Sequence, residues 1–386
     1  LHKGRVPSPE DIRRWVFAAL ASGIQGLSFW NHRAEIFWSE AYGFGLLDSC
    51  GNISPCAEAA GRLAKAINRY PELFHESHVS QSDVAIFLNE DLWHFAQATR
   101  NDAASHLAFT IRGIYKMLWD AGIWVDFIEA EEATGEDLSR YKVIIFPFPL
   151  AVSDEVFKEL RNYVASGGVL ISEACPGRYD RFGFTRSGEL IAGAQEVFGA
   201  VHRFVQLCHE PEHPPRWTPV ERSYGEIRPS TRFEGMGSFA GHSVLPSLYI
   251  ETYAAEGSVP VLLCEGEVAG VVNKFGRGKA YLIGTFLGHA YAAFRDVPTQ
   301  SFVLAVLDSA GIKPELCGKF RRRRRIGQDS EAWFMLNMTS EAVTEHVDVK
   351  DFSSAEDLLG GTMSIRSGKV TAKADPFEIR CLILKH

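Results

Sequence analysis

Four groups of side chains in this sequence could do chemistry, and each has a plainer alternative. Cys50 and Cys56 are near enough in sequence to offer two thiolates to a metal ion. A structural site needs four ligands, and no second cysteine pair or nearby set of histidines completes them, so no metal is expected. Cys175 follows the apolar run Val169-Leu-Ile-Ser172, where a thiol could serve as a nucleophile. The residue after an elbow nucleophile normally gives its N–H to the oxyanion. Pro176 has no N–H, so an inert thiol is the expected state. The run Arg321 to Arg325 could touch nucleic-acid phosphates, but in an acidic chain, next to a strand, it reads as a charged sheet edge that resists aggregation. Glu40 lies in a long polar and aromatic loop and, by residue type alone, is a solvated carboxylate.

Composition narrows the classes further. The chain has 386 residues, enough for two or three domains with sizeable cores. With 46% hydrophobic and 23% charged residues it has the balance of an ordinary soluble protein, which argues against collagen, disorder and coiled coil. The formal net charge of −8 argues against nucleic acid as a main partner. No apolar run reaches the roughly 18–20 residues of a membrane helix. The odd, scattered set of seven cysteines fits reduced thiols in a cytoplasm-like compartment.

The elements that would position these groups fall into three textures. Ser8-Pro9-Glu10-Asp11 is a helix start with a capping box, and Ile12, Trp15, Val16, Ala19 and Leu20 recur on one face until Gly23. Residues 24–30 read as a short buried strand and 31–54 as a loop. A second helix begins near Pro55, with Ala60, Leu63, Ala64 and Ile67 on one stripe, and Pro71 stops it. This order is that of the end of a (β/α)8 barrel: seventh helix 8–22, eighth strand 24–30, eighth helix 55–70. One strand closes no barrel, so seven strands are expected upstream. The start at Leu1 rather than Met, without a signal-peptide pattern, suits the C-terminal piece of a longer chain.

From residue 80 strands and helices alternate: strands at 83–88, 124–128, 141–146, 169–172, 261–263, 269–272 and 278–283, helices at 103–121, 153–166 and 298–310. That alternation argues for a parallel, doubly wound sheet. The stretch 176–250 reads as irregular and is rich in aromatics, among them Phe182, Phe184, Phe198, Phe204, Trp217, Phe233, Phe239 and Tyr249. So much aromatic area suggests a covered interface. From about Glu315 short strands at 332–337, 345–349, 355–359 and 377–384 describe a small antiparallel domain. The reading is thus α/β multidomain: 1–76 the end of a barrel, 80–314 a doubly wound domain, 315–386 a β-sandwich.

Those three parts in that order resemble the C-terminal part of the glycoside hydrolase family 42 β-galactosidases. The matching stretches are Ala19-Leu-Ala-Ser-Gly-Ile-Gln-Gly-Leu-Ser-Phe-Trp30, the loop Glu40-Ala-Tyr-Gly-Phe-Gly-Leu-Leu-Asp48-Ser-Cys-Gly51, Gly167-Gly168-Val-Leu-Ile, Phe275-Gly-Arg-Gly-Lys-Ala-Tyr-Leu-Ile-Gly284, Phe334-Met-Leu-Asn337 and Asp357-Leu-Leu-Gly-Gly361. The resemblance implies a catalytic barrel, an amidotransferase-like trimerisation domain at 80–314 and a small C-terminal β-domain. It also implies retaining hydrolysis of terminal β-D-galactosides, without a cofactor, by a cytoplasmic homotrimer in which the middle domain surrounds a neighbour's barrel mouth.

In that family the nucleophile and the acid/base are glutamates at the ends of the seventh and fourth strands, about 5 Å apart as retaining chemistry needs. On this alignment both precede Leu1, and no catalytic residue falls in the chain. The implied substrate-binding residues are Trp30, whose ring would stack on a sugar face, and Glu40, which would bind galactose hydroxyls. Glu35, His32 and Arg33 stand behind them. The family often has a histidine three residues after the glutamate; here it is Gly43, which puts the exact sugar in question. Cys175 falls about where amidotransferase-like enzymes carry their nucleophile. A barrel glycosidase with another sugar preference, a non-catalytic oligomerisation module and a cysteine-dependent amidotransferase-like enzyme remain alternatives.

Overall fold

The computed structural model describes residues 7–35, 37, 45–98, 103–130, 135–180, 182–186, 191–208 and 229–386. They gather into two compact units, one made of residues 1–81 with 315–386 and the other of Ser82–Pro314. The fold is α/β and multidomain.

In the first unit, helix α1 (Pro9–Ala21) starts with the expected capping box: the Asp11 backbone N–H donates to Ser8 Oγ at 3.3 Å, and the Ser8 N–H donates to the Asp11 carboxylate at 2.8 Å. Its buried stripe runs through Ile12, Val16 and Leu20 toward Phe17 and Ala21. That rotation corrects the expected face: Trp15, on the far side, is 55% exposed. Phe17 meets Phe334 edge-on, ring centres 6.0 Å apart. Helix α2 (Pro55–Ile67) packs on α1 through Ala59, Leu63 and Ala66, so Ala64 points to solvent. Pro71 opens a short helix, α3 (Pro71–Phe74), followed by strand β1 (His78–Val79).

The expected buried strand at 24–30 is absent: these residues carry no strand and are exposed. A strand is stable only when its N–H and C=O groups pair with a neighbour. Among the described residues no ladder reaches this segment.

The second unit runs β2 (Val84–Leu88), α4 (Glu90–Ala98), α5 (Ala103–Ala121), β3 (Asp126–Glu129), α6 (Gly135–Ser139), β4 (Val143–Phe146), α7 (Asp154–Ala165), β5 (Val169–Ser172), α8 (Ala194–Phe198), β6 (Ala200–Leu207), β7 (Phe233–Gly235), β8 (Ser243–Val244), β9 (Tyr249–Ala255), β10 (Val259–Cys264), β11 (Glu267–Phe275), β12 (Gly278–Ile283), α9 (Leu287–Phe294) and α10 (Val297–Ser309). Nine strands form one sheet in the order β3-β2-β4-β5-β12-β11-β10-β7-β8. The apolar runs of β2 and β4 bury both faces. Val84, Ile86, Val143 and Ile145 face α5 and α10, while Ala85, Phe87, Ile144 and Phe146 face α7.

The sheet is parallel only from β3 to β12, and then antiparallel through β11, β10, β7 and β8. The reason is local: two-residue turns join β10 to β11 and β11 to β12, too short for a crossover. Gly266 (φ +89°) and Gly276 (φ +58°) supply the left-handed backbone these turns need. The stretch 176–250 is also more regular than expected, since β6 pairs with β9 in a two-stranded antiparallel sheet. Most residues of β6 are exposed or half-buried, so it shows little of the alternation that announces a strand.

Back in the first unit, β13 (Leu316–Cys317), β14 (Phe320–Ile326), β15 (Ser330–Leu336), β16 (Val343–Asp348), β17 (Ser354–Asp357), β18 (Gly361–Met363), β19 (Lys369–Ala374) and β20 (Ile379–Lys385) complete the chain. One sheet has the order β1-β14-β15-β20-β17-β18, with β13 also on β14; β16 and β19 form a second. The two share a core that includes Trp333, Met335, Val347, Val370 and Leu382.

Here the arginine run is corrected. Arg321–Arg325 are themselves strand β14, paired with β15 along one side and with β1 and β13 along the other, so they are no free edge. Strand alternation divides them. Arg323 and Arg325 are buried, while Arg322 lies 4.4 Å over the Trp333 ring and Arg324 approaches Glu315 and Glu331 at 3.4 Å each.

Candidate functional site

Residues 30–35, which the barrel reading places at the barrel's rim, carry four of the residues singled out for sugar binding. Trp30 is 79% exposed, and the bond from it to Asn31 is cis. Immediately after it the chain is pinned: Leu46 N–H donates to Asn31 O at 3.0 Å, Leu47 N–H to His32 O at 2.8 Å, and Ala34 N–H to Leu47 O at 3.2 Å. Arg33 Nε reaches Ser49 O at 3.2 Å. Below them Asp48 closes a turn by accepting from the Asn52 side chain and backbone, both at 2.8 Å, and from Cys50 N–H at 2.9 Å. The Asn52 amide, with these backbone donors, holds the exposed Asp48 carboxyl below the usual carboxylate range. Ser54 then caps α2, its hydroxyl accepting from Ala57 N–H at 3.1 Å.

Trp30, His32, Arg33 and Glu35 thus lie exposed along one segment, an apolar ring followed by polar side chains. That arrangement suits a sugar, whose C–H face stacks on an aromatic ring while its hydroxyls take hydrogen bonds. Glu40 and Gly43 lie outside the described residues.

The other region to weigh lies at the carboxyl ends of the parallel strands, where open α/β sheets usually bind ligands. Here an apolar cluster, including Leu92, Leu107, Phe148, Leu150, Ala174 and Phe286, packs around Cys175. Cys175 adopts φ +60° and is 1% exposed. Burial, with the Glu251 carboxylate next, pushes its thiol well above the ordinary range, so the thiolate a nucleophile needs is not formed.

Two buried carboxylates flank it, and neither was singled out from the sequence. Glu173 accepts from Phe148 N–H and from Gly288 N–H in the first turn of α9, both at 2.8 Å; burial pushes it up to about 8. Glu251 accepts from Cys175 N–H at 2.7 Å and Tyr253 Oη–H at 2.6 Å, and lies 2.8 Å from His202 Nδ1. The usable signal for Glu173 was a carboxylate directly after a buried apolar strand.

All seven cysteines are free thiols; Cys50 is exposed and Cys56 Sγ lies 3.2 Å from Pro7 O. Among the described residues no group of three or more His, Cys, Asp or Glu side chains could hold a metal ion. None of the described helices is long and apolar enough to cross a membrane.

Residues 82–297, more than half of the chain, match the family described as the β-galactosidase trimerisation domain of glycoside hydrolase family 42. The chain is 27% identical over 349 residues to β-galactosidase BgaH of Haloferax lucentense, covering 88% of this chain and 46% of that protein. Against β-galactosidase BgaA of Planococcus sp. it is 19% identical over 339 residues, covering 87% and 47%. The fold is similar to that of a β-galactosidase from Bacillus circulans sp. alkalophilus, with a TM-score of 0.77 at 19% identity over 97% of this chain and 52% of that one. The chain spans about half the length of these proteins. By the match over its middle unit, it belongs to the glycoside hydrolase family 42 β-galactosidases.

Proposed function

We propose that this chain is the C-terminal part of a retaining β-galactosidase that hydrolyses terminal β-D-galactosides. The family match over residues 82–297 carries the reading, and the similar fold over 97% of the chain supports it. In this reading 1–76 is the end of the catalytic barrel, 80–314 an amidotransferase-like trimerisation domain without its own chemistry, and 315–386 a C-terminal β-sandwich. The catalytic carboxylates lie in the preceding half of the protein. One attacks the anomeric carbon while the other protonates the leaving oxygen, and the roles then reverse on water. Trp30 stacks on the galactose ring and Glu40 binds its hydroxyls, with Glu35, His32 and Arg33 beside them.

The full protein is a cytoplasmic homotrimer. Of the eight aromatics expected at an interface, Phe198, Phe233 and Phe239 are buried in the middle unit's own core, Tyr249 is half-buried and Trp217 lies outside the described residues. Phe182, Phe184 and Phe204 are 78%, 73% and 60% exposed, apolar area of the kind that assemblies cover. The free thiols fit a reducing compartment. The coding sequence upstream of Leu1 tests the reading. A barrel with two strand-end glutamates supports it; a start codon at this point with no such barrel leaves an oligomerisation module instead. Light scattering of the full-length protein tests the assembly, and a monomer at micromolar concentration removes it.

A further inference from the structure

The largest fully buried side chain among the described residues is an arginine. Arg325, on β14 of the C-terminal region, is 0% exposed. Every acceptor of its six hydrogen bonds is a backbone carbonyl or a hydroxyl. Nη1 donates to Leu20 O and Ile24 O, both at 3.0 Å. Nε donates to Leu73 O at 3.0 Å and Ser77 Oγ at 3.1 Å, and Nη2 to Ser77 O at 3.2 Å and Phe74 O at 3.4 Å. Leu20 O lies in the last turn of α1, where it also accepts from Gly23 N–H at 3.1 Å and where the helix end favours a positive charge. A planar fork of five N–H donors can serve acceptors on several sides at once; an ammonium group cannot span them.

Ile24 begins the segment that ends at Trp30. Next to it, Gln25 Nε2 donates to His75 O at 2.8 Å, and beyond Trp30 the carbonyl of Asn31 is held by Leu46 N–H. Trp30 therefore stands between two fixed points, and Arg325 makes the first. We infer that Arg325 is a positioning residue for the sugar-binding rim: from β14 it holds the carbonyls of Leu20 and Ile24, and with them the segment that presents Trp30. This rests on the proposed role of Trp30.

The test uses the full-length protein with Arg325→Lys, Trp30→Ala and the double variant, assayed well below each melting midpoint. Arg325→Lys raises KM for a β-galactoside about tenfold with little change in kcat, as Trp30→Ala does, and the double variant is no worse than Trp30→Ala alone. A lower melting midpoint with KM unchanged would make Arg325 structural only. Additive effects would show that it does not act through Trp30. Hydrogen exchange provides a reading without turnover: the Gly23 and Ile24 amides, bonded to Leu20 O and Ala19 O, exchange faster in Arg325→Lys. Unchanged exchange contradicts the anchoring. A full-length parent that hydrolyses no β-galactoside overturns the functional reading and leaves the anchoring to be decided by exchange.

Discussion

Cys175 and Glu251 are tied by a 2.7 Å hydrogen bond from the backbone N–H of the cysteine to Oε2 of the glutamate. A cysteine nucleophile needs a thiolate, a base near its sulfur and free N–H groups for an oxyanion. Here the cysteine's own N–H is already bound, Pro176 offers none, and burial keeps the thiol protonated. The left-handed φ of an elbow is present, while the chemistry such an elbow serves is missing.

Cys175 should accordingly resist alkylation. In native protein at pH 8, iodoacetamide leaves Cys175 unmodified over the time in which exposed Cys50 reacts, and in denaturant both react. Native labelling of Cys175 at the rate of Cys50, read by peptide mass, would revive the amidotransferase-like alternative.

The close approach of α5 and α9 makes a second prediction. A Cβ added at Gly113 would lie 1.8 Å from Gly288 O, and one at Gly288 would lie 2.2 Å from Thr110 O. No rotamer relieves a clash with backbone, so Gly113→Ala costs about 3 kcal/mol in urea unfolding. A loss below about 0.5 kcal/mol would mean that the helices separate freely.

Much of the middle unit was legible because its strands are short apolar runs between helix-length stretches. Strands 169–172 and 278–283 and the helix 103–121 stand where the pattern put them. Other parts were hidden for physical reasons. Five successive arginines conceal the alternation that buries Arg323 and Arg325, and all but one of the acceptors around Arg325 are backbone carbonyls, which no residue type announces. Segment 24–30 has strand composition, but composition carries no information on whether a pairing neighbour is at hand. The rim residues were marked by resemblance, since a loop has no periodicity to read.

Acid should weaken the fold through His106. Its Nδ1 lies 3.1 Å from His289 Nε2, whose ring bonds Ser247 Oγ at 2.8 Å, and burial lowers the His106 pKa from 6.5 to about 4. The folded state keeps this ring neutral while the unfolded chain takes up a proton. The stability from His106 is therefore complete above pH 6.5 and is lost as pH falls toward 4. Between pH 7 and 4.5 this amounts to about 2 kcal/mol. In His106→Asn the acid-induced loss in urea stability is smaller by that amount; an unchanged loss would assign the acid sensitivity elsewhere.

On the proposed reading, in which Glu40 binds the galactose hydroxyls, Glu40→Ala in the full-length protein removes charge-assisted hydrogen bonds that strengthen as the ring distorts. The expected loss in kcat/KM is about 10²-fold, near 2.7 kcal/mol. Activity within threefold of the parent, with the fold intact, would move the role to Glu35 or away from this loop.

The most direct measurement compares the purified 386-residue chain with the full-length protein on a chromogenic β-galactoside. On the proposed reading, in which the carboxylate pair lies outside these 386 residues, the full-length protein turns the substrate over and the chain alone gives no more than a mock preparation. Turnover by the chain alone, or none by the full-length protein, would contradict it.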